Sequence, residues 1–560
     1  MKCKWLLPAV FFLATTSYAQ DQAPDNWFNL DAKKDGIPGL STEKTYQELL
    51  KGKKARTIVV AVLDSGVDYE HEDLKDVMWV NEDEIPGNGI DDDNNGYIDD
   101  IHGWNFLGNS RGENVHHDNL EVTRQYVLLH KRFKDVSDAA GLSKKDRADY
   151  DKYKLYGKVI EDKIEEMTPN VGLYGSTLEA FVKLQEAIGK PAADITLTDL
   201  ENFRTSDPFL PRVASVAIDL LKQGETYAGF LDQVKEAYDY FYDQVNYNYN
   251  TEFDPRALVG DDYNNVNERY YGNNDVKGPF SYHGTHVSGI IAAKRGNNLG
   301  IEGVADHVRI MAVRTVPNGD ERDKDVANAI RYAVDNGAHV INMSFGKGDS
   351  PYKDAVDEAV KYAMKNDVLL IHGAGNDGEE IKYDNNFPND KFKKKGLFKP
   401  KYAKNWMEVG AHGWQTDENM TADFSNYSAT LVDVFAPGVD IYSTEPENSY
   451  KVQQGTSMAA PMVAGLAAML RAYYPDLTAT QVKEIIMSSS VKQTQKVKRP
   501  GEDTLTSFSD LCVTGGIINA YSAVKMASAT KGKRKKPAGI DNAADGNMDN
   551  KAAKQAIIKP

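Results

Sequence analysis

Gly455-Thr456-Ser457-Met458-Ala459-Ala460-Pro461 runs straight into Met462-Val463-Ala464-Gly465-Leu466-Ala467-Ala468-Met469-Leu470. The second half is apolar or small on nearly every side, which is the pattern of a helix buried all round. The glycine-threonine turn opens that helix and puts Ser457 near its N-terminus. Unpaired backbone N–H groups and the positive end of the helix dipole lie there, and both can receive a developing oxyanion. Pro461 is read as tolerated in the first turn, where an N–H has no intrahelical partner. A serine at a helix start is most often a plain N-cap. Two further stretches change that.

The first is Thr57-Ile58-Val59-Val60-Ala61-Val62-Leu63-Asp64, a nearly continuous apolar, β-branched run. It predicts a buried parallel strand ending in an acid, at the end of the sheet where α/β proteins carry their chemistry. Asp64-Ser65-Gly66 also suits an aspartic protease, but no second strand ends in this way. The other stretch, His283-Gly284-Thr285-His286-Val287-Ser288-Gly289, sets a histidine at the start of a small-residue helix. A zinc pair at His283 and His286 lacks a nearby acid or cysteine. Strand and helix then alternate through Val308–Val313, Val326–Asn336, His339–Gly346, Tyr352–Asn366 and Val368–Ile371, predicting a parallel sheet covered on both faces.

Between these stretches lies Asn88-Gly89-Ile90-Asp91-Asp92-Asp93-Asn94-Asn95-Gly96-Tyr97-Ile98-Asp99-Asp100. Oxygen donors at Asp91, Asp93 and Asn95, glycine at the sixth position and the Tyr97 carbonyl make the first half of a calcium loop. The twelfth position is His102, so Asp99 or Asp100 must close the shell, and Asp100 is assigned to it. The alternative is an acidic solvated turn, in which these aspartates would repel one another without a cation.

The 560 residues carry a net charge of −17, which argues against nucleic-acid binding as the main task. Residues 1–19 pair a basic start with a short apolar run and a small-x-small end, the pattern of a signal peptide directing export to periplasm or medium. That run is too short to span a membrane, so no integral membrane segment is expected in the mature chain. Cleavage would leave Cys512 as the sole cysteine and therefore no internal disulfide. Residues 20–55 form a polar N-terminal segment with a helical piece from Ser41 to Leu50. Residues 113–277 change character to charged, helix-period stretches, with a capping box expected at Thr198–Glu201. His116 and His117 there read as an exposed turn rather than a metal site. Residues 531–560 are lysine-, glycine- and asparagine-rich and are expected to be disordered.

The motifs around Asp64, His283 and Ser457, in that chain order, resemble those of the subtilisin-like serine peptidases, with further support from Ala436-Pro437-Gly438. The order is the one known for subtilisin. The resemblance implies an α/β, three-layer fold with a mainly parallel sheet over 56–112 and 278–530, carrying a mainly helical insertion between the catalytic Asp and His. It implies a serine endopeptidase acting on polypeptides through an acyl-enzyme, with no cofactor for catalysis and calcium as a structural ion. Ser457 would be the nucleophile, His283 the general base and acid, and Asp64 the group that holds the imidazole. Asn376, in Gly373-Ala374-Gly375-Asn376, matches the family's side-chain oxyanion donor. Ser344, Phe345, Gly346 and Gly375 match backbone and pocket positions that bind substrate.

Three departures stand out. Asp64 and His283 are 219 positions apart, and the insertion supplies most of that distance. It could fence the cleft, bind a partner, or inhibit until displaced. The span 20–56 is too short for the family's folding propeptide. At the second substrate-binding segment, Pro317–Lys324, the family's small residues are replaced by Asn318-Gly319-Asp320-Glu321-Arg322-Asp323, which suggests a preference for basic residues beyond the first subsite. The competing function is a non-enzymatic binding protein with the insertion blocking the cleft. An α/β-hydrolase esterase is excluded because Ser457 lacks the Gly-x-Ser-x-Gly elbow.

Overall fold

The computed structural model describes residues 23–393 and 400–534. The expected signal peptide lies outside the described residues, as does the tail from 535. In chain order the structure runs α1 (Thr42–Thr45), β1 (Ile58–Asp64), β2 (Gly103–Asn105), α2 (Glu121–Phe133), α3 (Lys144–Ile188), α4 (Leu197–Glu201), α5 (Leu210–Lys222), α6 (Tyr227–Asp243) and α7 (Tyr282–Ala292). It continues through β3 (Val308–Arg314), α8 (Asp323–Asp335), β4 (Val340–Met343), α9 (Lys353–Lys365), β5 (Leu369–Gly373), β6 (Trp406–His412), β7 (Val434–Pro437), β8 (Ile441–Glu445) and β9 (Ser449–Gln453). The last elements are α10 (Thr456–Tyr473), α11 (Ala479–Ser489), β10 (Val491–Lys492), β11 (Lys496–Lys498), β12 (Leu505–Ser507), β13 (Gly516–Ile517) and α12 (Ala520–Ala529).

Nine strands form one sheet in the order β10-β13-β7-β6-β5-β4-β1-β3-β2. Every pairing is parallel except that of β10 with β13. The alternation of side chains along β1 shows why the run is apolar throughout. Ile58, Val60 and Val62 enter the core shared with α7, α10, α11 and α12, while Ala61 and Leu63 enter the core beneath α8 and α9. A strand buried on both faces has no polar side to show. The result is the three-layer α/β arrangement.

In α10 every residue is buried except Ser457 and Tyr473. Pro461 is the sixth residue of this helix rather than part of its first turn, so its missing N–H leaves the Ser457 carbonyl without an intrahelical donor. The Ser344 hydroxyl fills that gap at 2.9 Å.

The stretch between β2 and α7 is mainly helical between Glu121 and Asp243, and α3 to α6 share a core around Phe181, Leu184, Leu210 and Ala217. The capping box there sits at Thr196 and Asp199, two residues ahead of the expected place. Other expectations shift as well. Trp27 and Phe28 are fully buried in the larger core, so part of the 20–55 segment belongs to the main body. Residues 531–534 pack rather than fray, with Lys533 N–H donating to Gln481 and Arg534 N–H to the Asp476 carbonyl.

Candidate active site

Asp64 closes β1, and His283 is the second residue of α7. Their side chains meet, with His283 Nδ1 2.8 Å from Asp64 Oδ1. The same oxygen accepts the Ser65 N–H at 2.8 Å, which fixes the carboxylate. Helix α7 reaches this close because residue 284 is glycine. A Cβ there would sit 2.1 Å from the Gly66 carbonyl oxygen. Burial pushes the half-buried His283 imidazole toward neutrality. The charge and hydrogen bond of Asp64, with the charge of Glu445, outweigh that and hold its pKa above 6.5. His286 has no metal-like setting. Its Nε2 donates to the carbonyls of Ile441 and Lys451, and burial lowers its pKa to about 3.

Ser457 is the second residue of α10, and its hydroxyl donates to the Ser344 carbonyl at 3.2 Å. Among the described residues no hydrogen bond joins it to His283. A hydroxyl rotor needs only a turn about one bond to change partner, and such bonds often form only with substrate bound. Asn376 follows β5, and its Oδ1 accepts both the N–H (2.9 Å) and the hydroxyl (3.0 Å) of Thr456. Two donors on one side settle which way the amide faces, so Nδ2 is turned away from them. Asn376 Nδ2 and the Ser457 backbone nitrogen each lie 3.5 Å from the point where a side chain on Gly455 would begin. Both donors border a cavity of about 490 Å³ whose walls include Ser344, Phe345, Gly346, Gly375 and Ser457. The cavity brings together the Ser457 hydroxyl and two N–H donors, and the His283–Asp64 pair supplies a polarised imidazole.

In the acidic loop the two Asp91 carboxylate oxygens accept the N–H groups of Asn95 and Gly96. Asn95 donates its amide to Asp93 and Asp100, and its own oxygen accepts the Tyr97 N–H. The Tyr97 ring packs against Trp104 and Tyr332. The carboxylates that do converge are Asp93, Asp100 and Glu84, with ligand oxygens all within 4.8 Å of one another. Glu84 was not legible as part of the set because it lies outside the loop pattern. An all-oxygen, multiply anionic cluster suits a hard cation such as calcium.

The charged segment after β3 is not an open edge either. Glu321 is buried 2.8 Å from Lys347, whose ammonium bonds the Glu321 carbonyl, and Asp320 accepts the Glu121 N–H at 2.7 Å. The Asp320 carboxylate is engaged by the insertion and the Glu321 side chain is buried, so the two acids are not the open charged edge that the suggested preference for basic residues assumed.

A sequence profile described as the subtilase family matches residues 55–509 of the chain. The chain is 39% identical over 245 residues to the thermophilic serine proteinase of Bacillus sp. (strain AK1), covering 43% of this chain and 52% of that one. It is 37% identical over 212 residues to subtilisin DY of Bacillus licheniformis, covering 37% and 70% of the two chains. Against thermitase of Thermoactinomyces vulgaris it is 40% identical over 190 residues, covering 34% and 60%. It therefore spans only about half the length of the first of these relatives.

Proposed function

The chain belongs to the subtilase family, and from that premise we propose that it is an exported serine endopeptidase cleaving polypeptides through an acyl-enzyme. The observation that carries this reading is the 2.8 Å contact between His283 Nδ1 and Asp64. It leaves Nε2 as the ring nitrogen available to take a proton. Ser457 Oγ, released from the Ser344 carbonyl, gives its proton to that nitrogen as it attacks the scissile carbonyl. The tetrahedral oxyanion is received by Asn376 Nδ2 and the Ser457 N–H. His283 then returns the proton to the leaving amine, and water completes the cycle in the same way. Asp64 holds the ring through Nδ1 and stabilises the imidazolium. A fluorophosphonate probe tests this by forming an adduct at Ser457 in the intact protein and none in Ser457→Ala. An unlabelled, folded protein would favour the binding-protein alternative.

A pH profile follows from the same contact. The general base must be neutral, and its pKa lies above 6.5. The acid limb of kcat/KM is therefore expected to have its midpoint above 6.5, with activity rising as pH rises through it. Glu445→Gln removes one of the charges that raise this pKa and should move the limb to lower pH. A limb unmoved by that change would disconnect Glu445 from the base.

Calcium bound by Glu84, Asp93 and Asp100 would tie the acidic loop to the rim of the sheet, where Tyr332 of α8 already donates to Asp100 at 2.6 Å. Because the ion would bind only the folded chain, millimolar calcium is expected to raise the melting temperature and chelator to lower it. Glu84→Gln with Asp93→Asn should abolish the difference. An equal calcium response in that variant would move the ion elsewhere. Export by residues 1–19 is part of the same proposal.

A further inference from the structure

Two chain segments leave the sheet on either side of Asp64. One follows β4 and contains Ser344–Gly346, and the other follows β3 and contains Asn318–Glu321. Both border the cavity that holds Ser457, through Ser344–Gly346 and Asp320. A peptide carbonyl placed at Ser457 would send the residues before it into the trough between these segments. The two edges are not equivalent. Among the described residues, Phe345 and Gly346 make no main-chain hydrogen bond, so that edge can pair with a peptide. On the opposite side the Asn318 N–H donates to the His116 carbonyl at 2.8 Å, and the Asn318 carbonyl accepts the Asp118 N–H at 3.0 Å. The carbonyls of Asp320 and Glu321 are taken by the Arg124 guanidinium at 3.1 and 3.2 Å. The chain's own insertion already sits where a second strand would pair.

We propose that His116–Arg124 is a fixed wall of the cleft, so that a substrate is gripped before its cleaved bond by the Ser344–Gly346 edge alone. Selectivity is then read in the first one or two residues on that side and little beyond. This rests on the peptidase reading given above.

The wall is fixed because charges without access to water lock it. Arg322 holds Asp118 in a two-pronged pair at 2.6 and 2.8 Å. The Lys347 ammonium bridges Glu121 and Asp323 at 3.0 Å each. All five side chains are almost wholly buried. Lifting the wall would strand these charges without partners, which a displaceable lid could not tolerate. The close approach also depends on Gly319, whose φ is +146° and whose Cβ, if present, would lie 2.2 Å from the Asp118 carbonyl oxygen.

The test uses the full chain and capped peptide substrates with one to five residues before the cleaved bond. Each main-chain hydrogen bond is commonly worth a few-fold to about tenfold, so kcat/KM should change less than about threefold from the second residue to the fifth. A gain above about tenfold over that range would overturn the wall. Amide exchange supplies a readout independent of catalysis. The N–H groups of Asp118 and Asn318 should exchange slowly without substrate, and exchange at open-loop rates would overturn the proposal whatever the activity. Gly319→Ala should speed exchange at Asp118 while Ser457 still takes the fluorophosphonate. Loss of labelling in the unaltered chain counts against the peptidase reading, whereas the amide rates decide the wall by themselves.

Discussion

Ser457→Ala is expected to lower turnover on a peptide substrate about 10⁶-fold while leaving the fold and the KM nearly unchanged. The size follows from the site working as a unit. Without the hydroxyl there is no acyl-enzyme, and the His283–Asp64 pair has no proton to take. What survives is water attack assisted by Asn376 Nδ2 and the helix N-terminus, a residual of about 10³–10⁴ over the uncatalysed rate. Asn376→Leu should cost less, on the order of 10²–10³, because one of two oxyanion donors remains. Stability should hardly move in Ser457→Ala, since the hydroxyl's one hydrogen bond is to the Ser344 carbonyl and the side chain is not part of the core. Single-turnover kinetics and a thermal melt on the same sample check both halves. A loss of only tenfold would mean that the nucleophile is another group.

Lys347→Met is expected to destabilise the protein by about 3–5 kcal/mol, because breaking a buried ion pair leaves uncompensated charge behind. The ammonium lies 3.0 Å from both Glu121 and Asp323 and is almost fully buried. Burial alone would push the Glu121 carboxyl up, but Lys347 and Arg124 outweigh it and hold its pKa down, from 4.5 to about 2. A depressed carboxylate pKa contributes stability that is fully present above pH 4.5 and is lost as pH falls toward about 2. The stability gap between wild type and Lys347→Met should therefore be widest near neutrality and shrink as the solution is acidified through that window. Urea unfolding at several pH values reads this directly. A gap that does not change with pH would mean that lost packing, rather than charge, dominates the cost.

Much of this molecule is legible in one dimension. The unbroken apolar run of β1 could only be a strand covered on both faces, and the small, apolar α10 could only be a helix enclosed by other elements. Positions at strand ends and helix starts are local properties, and the short motifs around Asp64, His283 and Ser457 are local too, so their resemblance to the subtilase motifs could name these residues before any contact was known. The acidic loop is a partial case. Its short-range pattern was readable, but Glu84 joins Asp93 and Asp100 through a turn of the chain that no spacing rule marks. The charged edge at Asp320 and Glu321 misled for the opposite reason. Acids in a segment read as exposed are burdened with a solvent-facing role until a partner appears, and the partners of the Asp320 carboxylate and of the Glu321 carbonyl lie about 200 positions earlier, at Glu121 and Arg124.

The sequence by itself determined the fold class, because apolar periodicity depends on neighbours within one or two turns, and its family-like motifs singled out the three side chains proposed to bear the chemistry. Only the tertiary structure decided that Ser344 completes the helix turn opened by Pro461, that Thr456 aims the Asn376 amide, and that the insertion covers one edge of the cleft. Those outcomes rest on hydrogen bonds and buried charges between segments from 80 to nearly 200 residues apart, and such pairings exist only once the sheet has brought the segments together.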